Sequence, residues 1–410
     1  MYSDITQMEP LFPAKTGELE DLALQLVATS ARLEARLAPV VLNDIQNLLR
    51  VVNSYYSNLI EGHSTHPIDI ERAMKKDYSA DQEKRDQQIE SRIHIEVQGK
   101  IVKRLEQEPE LDITSDAFLT WVHNEFYEKM PERLRWVRGD SSESEYVKAG
   151  EIRNHFVKVG NHVAPEPEAL DKFLKRFAVA YNPAKMHGLR PVVALAAAHH
   201  RLMWIHPFLD GNGRVARLFT DAYFYRIKTA GYGLWNVSRG LARQRDEYRK
   251  FLAAADAPRE NDLDGRGNLS DRTLTEFCRF FLKVCLDQAN YMDGILALNG
   301  FLERLEKYVA LRNAGLIRGA QEKVGGAATT LHPRTAEIFK QAAIAGELAR
   351  RDIFKIIGMS ERSGRNVLGQ LLDEKLLISN SEKGRVRLGF PAHAAAYWFP
   401  DLYPPEEVLD

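Results

Sequence analysis

His206-Pro207-Phe208-Leu209-Asp210-Gly211-Asn212-Gly213-Arg214-Val215-Ala216-Arg217 gathers more chemically capable residue types into one short run than any other part of the chain. It reads as a loop that turns into a helix. Gly211 and Gly213 let the backbone approach a ligand with no Cβ in the way, and the free N–H groups of the helix start favour an anion, such as a phosphate chain. Arg214 and Arg217 are three apart, so both project from one face of a helix beginning near Gly213 and can grip phosphate oxygens. Asp210 offers a hard carboxylate to Mg²⁺, and Asn212 a neutral amide to a phosphate oxygen. His206 is the side chain suited to take a proton near neutral pH. Phe208 serves the opposite purpose, anchoring the loop in the core. The plain alternative is a glycine-rich turn with a satisfied histidine and two surface arginines.

The run resembles the signature of the Fic family, HxFx[DE]GNGRxxR, with every specified position matched. A chance match has a frequency of roughly 10⁻¹⁰ per starting position, far rarer than a lone glycine-rich loop. The resemblance implies AMP transfer from ATP, with Mg²⁺, to a Ser, Thr or Tyr hydroxyl of a protein. His206 is then the general base, Asp210 the Mg²⁺ ligand, and Gly211, Asn212 and Gly213 the phosphate cradle. Arg214 and Arg217 neutralise developing charge.

Outward from this run, length and composition bound the rest. A chain of 410 residues has room for two or three domains, and a formal net charge of −1 gives no global attraction to nucleic acid or an anionic membrane. Cys278 and Cys285 lie seven apart in a helical pattern, two turns apart on one face and too far for a disulfide. Buried thiols in a reducing cytosol are expected. The start carries Asp4 and Glu9 and does not read as a signal peptide. No apolar run approaches the roughly 18 residues of a membrane span. The expected compartment is the cytoplasm, with no membrane partner.

Apolar spacing predicts helices over 17–37, from Pro39 to Gly62, over 82–107 and from a cap at Thr114-Ser115-Asp116. Within the second helix, Ser57-Asn58-Leu59-Ile60-Glu61-Gly62 resembles the inhibitory motif [ST]xxxE[GN] that many Fic proteins carry; Ser57 and Glu61 share a face. The resemblance pairs that Glu with the second motif Arg, Arg217. Residues 137–150 read as a loop. Val157, Lys158 and Val159 suggest a short strand before a Gly160-Asn161 turn, similar to the family's flap, which holds the target segment by strand pairing. Helices follow over 168–181 and 191–202, the second apolar on nearly all sides and leading into His206. After the motif, helices are expected to Gly231, over 241–255, 277–291 and 295–316. The family has a Tyr and often an Asn on the adenine and ribose after the motif; Tyr248 fits, and Asp256 departs from the Asn.

Gly325-Gly326-Ala327-Ala328-Thr329-Thr330 suggests a boundary. Beyond it, helices over 334–345, 350–357 and 361–374 and a hairpin over 376–388 look like a winged helix-turn-helix. Its cations Arg362, Arg365, Lys383, Arg385 and Arg387 could meet phosphates, but such modules commonly bind protein, and DNA is the lesser expectation.

The expected fold is mainly α, a Fic-type helical core with a small β-hairpin flap plus a C-terminal winged helix-turn-helix. The expected organisation is an inhibitory helical region over 1–110, a catalytic core over 111–300, a linker helix over 301–330 and the winged helix over 331–410. The expected activity is protein adenylyl transfer inhibited by Glu61, with self-modification and a homodimer open. Two other readings stay open: hydrolysis of AMP–protein bonds or another nucleotide at the same site, and a DNA-binding regulator.

Overall fold

The computed structural model describes residues 2–138, 144–160, 162–319 and 329–405. The first helices are α1 (Gly17–Leu33) and α2 (Pro39–Glu61). Pro39 opens α2 at a position where its missing N–H costs nothing, and Gly62 closes it in the left-handed conformation at φ 98°. Next come α3 (Pro67–Met74), α4 (Gln82–Gln107) and α5 (Asp116–Tyr127). Asp81 caps α4 by accepting from the Lys84 N–H, and Ser115 caps α5 by accepting from Phe118.

Two short hairpins follow, β1 (Trp136–Arg138) with β2 (Ser144–Tyr146) and β3 (Lys158–Val159) with β4 (His162–Val163), both antiparallel. The first lies where the sequence predicts a loop; Trp136 and Tyr146 face each other with ring centroids 5.1 Å apart, a cross-strand contact that local pattern does not reveal. The second is the expected flap. Val157 falls outside β3, although its carbonyl still accepts from the Ala164 N–H, and the Asn161 turn position lies outside the described residues.

The core is built by α6 (Leu170–Tyr181), α7 (Arg190–Ile205) and α8 (Asn212–Arg226), then α9 (Val237–Arg243), α10 (Arg245–Ala254) and α11 (Asp271–Ile295). Helix α7 packs against α1, α6, α8 and α11, and every residue from Pro191 to Leu202 is buried, as its all-round apolar pattern demands. The helix after the motif ends at Arg226, short of Gly231, and the single helix expected over 241–255 is two helices that meet at Gln244. Cys278 and Cys285 are free and buried, and burial pushes the Cys278 thiol up to about 12.

The C-terminal elements are α12 (Leu298–Asn313), α13 (Thr335–Ala345), α14 (Arg350–Ile357), α15 (Glu361–Asp373), β5 (Leu377–Ile378) paired with β6 (Arg387–Leu388), and α16 (Ala392–Trp398). Gly325 to Ala328 of the expected boundary lie outside the described residues. Helix α16 is absent from the sequence reading. Arg387 corrects it too: rather than facing a phosphate, its guanidinium pairs with Asp44 of α2 at 2.5 Å. Tyr56 of α2 also donates to the Leu402 carbonyl. The C-terminal region therefore packs directly on the helix that carries Ser57 and Glu61.

Candidate active site

The turn between α7 and α8 is locked from within. His206 closes α7 in the left-handed region (φ 50°, ψ 60°), rare for a residue with a Cβ and common at functional sites. Phe208 is fully buried, as expected, and its ring stacks at 4.1 Å on His123 of α5. The Asn212 side chain accepts from the Phe208 N–H at 2.9 Å and donates to the Phe208 carbonyl at 2.8 Å. Its amide thus braces the loop, where the resemblance puts it on a phosphate. His123 accepts from the Gly150 N–H through Nδ1, so its Nε2–H faces the Asp210 carbonyl at 3.2 Å.

His206 Nδ1 lies 3.2 Å from the Met203 carbonyl, which can only accept. Nδ1 therefore carries the proton and Nε2 keeps its lone pair. Burial lowers the imidazole's pKa to about 4, so the ring is neutral at physiological pH. The His206 carbonyl accepts from Arg153 Nε at 2.7 Å, and Arg153 also donates to Pro165 and His155, tying the base of the flap to the loop.

Two carboxylates converge on the start of α8. Asp210 Oδ2 accepts from the Tyr127 hydroxyl at 2.5 Å and from Arg214 at 2.8 Å. Burial would raise its pKa, but Arg214, Tyr127 and the Gly211 N–H hold it below the usual carboxylate value. Gly211, at φ 81°, is required here because a Cβ would stand 2.5 Å from the Tyr127 ring. An ionised carboxylate that is one-third exposed fits Mg²⁺, which takes one or two carboxylates and otherwise substrate phosphate and water.

Glu61 is the second carboxylate. Its Oε1 accepts from Arg217 Nη2 at 2.5 Å, and it lies so close to Gly213 that a Cβ there would be 2.5 Å from the same oxygen. Burial would raise its pKa, and Arg217 with Arg214 holds it below the usual value. The Glu61 carboxylate thus occupies the helix N-terminus that suits an anion. The Ser57 hydroxyl meets Arg217 rather than the Glu61 carboxylate. It accepts from Arg217 Nε at 2.9 Å, and the Ser57 carbonyl accepts from Arg217 Nη2 at 3.0 Å, so Ser57 orients the arginine and the arginine orients the Glu. Arg214 is gripped by Glu90 at 2.5 Å, by Tyr127 and by Asp210.

The resemblance puts Tyr248 and Asp256 on the adenine and ribose; here they have partners of their own. The buried Tyr248 hydroxyl lies 2.8 Å from His199 Nε2. Asp256 lies between His162 of β4 and His200 of α7, 3.2 Å from each. His199 and His200 point apart, as adjacent helical residues must. Sequence reasoning missed Tyr127, Glu90, Arg153 and His162, which act on the loop from distant segments. His123 and Tyr127 at i and i+4 carried the only local signal, one helix face aimed at the loop.

Residues 112–224 match the Fic/DOC family. Curated relatives named "Protein adenylyltransferase Fic" from Drosophila grimshawi and Drosophila mojavensis are each 38% identical over 109 residues, 27% of this chain. The match spans about a fifth of the length of those relatives, 21% and 20%. Among solved structures, a Fic family protein from Desulfovibrio desulfuricans superposes with a TM-score of 0.51 at 16% identity, covering 92% of this chain and 98% of that one. A Fic domain containing signaling protein from Bacteroides thetaiotaomicron gives 0.50 at 18% identity, covering 67% and 96%. Among the described residues no helix is long and apolar enough to cross a membrane. Residues 112–224, which include the loop between α7 and α8, are thus a Fic-type domain within a mainly helical chain.

Proposed function

We propose that the chain is a protein adenylyltransferase held in check by Glu61. One observation carries the reading: a neutral His206, with Nδ1 pinned to a carbonyl and Nε2 open, stands beside a helix N-terminus equipped with two arginines and an ionised Asp210. A Ser, Thr or Tyr hydroxyl gives its proton to His206 Nε2 as its oxygen attacks the α-phosphorus of ATP, and pyrophosphate leaves. Asp210 and the triphosphate would hold Mg²⁺, which supplies neutralising charge on the phosphates. The N–H groups at the start of α8 and Gly213 receive the phosphates, with Arg214 and Arg217 beside them. Tyr248 lines the nucleoside end. The free strand edge at Lys158 takes an extended segment of the target protein, or of the enzyme itself.

Glu61 occupies the guanidinium that the γ-phosphate needs, so ATP binds with its triphosphate displaced and the α-phosphorus out of line. Helices α13, α14 and α15 with the β5–β6 pair support a winged-helix interaction module that recognises protein. The test is incorporation of labelled AMP by wild type, Glu61→Gly and Glu61→Gly/His206→Ala at equal ATP. Incorporation that appears with the first change and disappears with the second supports the proposal. Release of AMP from pre-modified protein, lost in Glu61→Gly, favours hydrolysis instead.

A further inference from the structure

Among the described residues the β3–β4 hairpin has two residue pairs and one further backbone bond, from the Ala164 N–H to the Val157 carbonyl, and Val159 and Val163 are both exposed. A ribbon this short does not hold itself in place over a site. Arg153 fastens its base. What fastens β4 is His162, whose ring is nearly buried although the strand around it is exposed.

His162 Nε2 lies 2.8 Å from the carbonyl of Trp204, two residues before His206 on the last turn of α7. Its Nδ1 lies 3.2 Å from Asp256 Oδ2. Both partners are acceptors, and each ring nitrogen faces one of them. The other carboxylate oxygen, Oδ1, lies 3.2 Å from His200 Nε2, which also faces the Leu252 carbonyl at 3.1 Å. His200 Nδ1 accepts from Arg201, so Nε2 is the protonated nitrogen and donates. Burial would raise the Asp256 pKa, and hydrogen bonds from His162 and His200 hold it below the usual carboxylate value. Tyr2, whose ring lies 4.8 Å from that of Trp204 at a tilt of 50° and whose backbone carbonyl accepts from the Glu166 N–H, packs beside Trp204.

We infer that Asp256 and His162 form a latch that positions the flap, fixing β4 to the end of α7 and so setting the distance between the target strand and His206. Both oxygens of Asp256 are spent on histidines, which turns the residue away from a ribose and toward the hairpin. Asp256 and His162 are positioning residues; neither touches the reacting atoms. The inference rests on the reading of β3–β4 as the target-binding edge, but the latch itself is testable without AMP transfer.

The experiment uses the full chain. Amide hydrogen exchange over residues 157–164 and ATP affinity by calorimetry are measured for wild type, Asp256→Ala, Asp256→Asn, His162→Ala and the double alanine variant. Both single alanine changes are expected to speed flap exchange about tenfold or more, with the double no faster than the singles, because one link is lost in each case. Asp256→Asn, which retains an acceptor for His162, is expected to recover part of the protection. ATP affinity is expected to stay within about threefold of wild type, since no phosphate contact changes. In the Glu61→Gly background, the maximal rate of self-incorporation falls while KM for ATP holds. Loss of ATP affinity in Asp256→Ala with unchanged flap exchange overturns the latch and returns Asp256 to the nucleotide. A lowered melting temperature with unchanged flap exchange also overturns it. If no variant transfers AMP, the adenylyltransferase reading fails while the exchange and calorimetry still decide the latch.

Discussion

The loop from His206 to Gly213 and the hairpin from Val157 to Ala164 meet through Arg153, yet they are held by opposite means. The loop is braced by its own residues: Asn212 bonds both backbone groups of Phe208, and Phe208 is buried four positions away. The hairpin is held from afar, by Arg153 at its base and by Asp256, nearly a hundred positions later, at β4. A rigid loop next to a separately anchored flap divides the labour of the proposed reaction. Damage to the loop should strike the chemical step, and damage to the flap should strike delivery of the target.

The largest break comes from the loop. In the Glu61→Gly background, His206→Ala is expected to lower AMP incorporation by about 10³-fold, within the range for loss of a general base, with ATP affinity nearly unchanged. A tenth of the rate remaining would remove His206 from that role. The same residue sets a pH expectation. Its folded pKa is about 4 against about 6.5 unfolded, so between those values the unfolded chain binds the extra proton and acid disfavours folding. Incorporation limited by this base should hold from pH 8 to about 5.5 and fail toward 4; loss already at pH 7 would mean another group limits the rate.

Next in size is the contact laid over the loop from α2. Removing Glu61 frees Arg217 and the helix start, and Glu61→Gly is expected to raise incorporation on the order of 10²-fold. Glu61→Asp should rise less, because a shorter carboxylate reaches Arg217 poorly. The Ser57 geometry sharpens this: Ser57→Ala removes the acceptor on Arg217 Nε and should give a smaller rise by loosening the arginine. Equal or lower incorporation by Glu61→Gly would make the α2 contact structural or give Glu61 a part in the reaction.

The comparison also explains what the sequence reveals and what it hides. The motif, the Phe208 anchor, the Gly62 cap, the buried α7 and the i, i+4 relation of Ser57 and Glu61 all depend on neighbours within a turn or two, which periodicity and spacing expose. Tyr127 on Asp210, Glu90 on Arg214 and His162 on Asp256 join residues whose separation carries no pattern. Asn212 is the instructive case. An amide in a glycine-rich loop suits a phosphate equally well on paper, and only the fold brings the Phe208 backbone into its reach. Asn212→Ala should therefore cost about 2 kcal/mol of stability for two buried backbone groups left without partners, measured by denaturant unfolding. A loss of ATP affinity with stability intact would return the amide to the phosphate.

The smallest expected effect lies in the flap and tests its edge directly. Ala164 N–H bonds to the Val157 carbonyl, which makes that pair a hydrogen-bonded position of the antiparallel ladder. Such pairs alternate with non-bonded ones, so the next pair, Lys158 with Val163, points its backbone groups outward. The N–H of Lys158 is therefore free for an incoming strand. Lys158→Pro deletes that donor without touching a bond of the hairpin, whereas Lys158→Ala keeps it and removes only the side chain. One intermolecular backbone bond contributes about 1 kcal/mol, so the proline variant should lose about fivefold in incorporation at subsaturating target. ATP affinity should not move, and the alanine variant should stay near the parent. The measurement is labelled AMP incorporation in the Glu61→Gly background, across a range of target concentrations. Equal losses in both variants would mean that the lysine side chain recognises the target, and that the flap reads sequence rather than backbone.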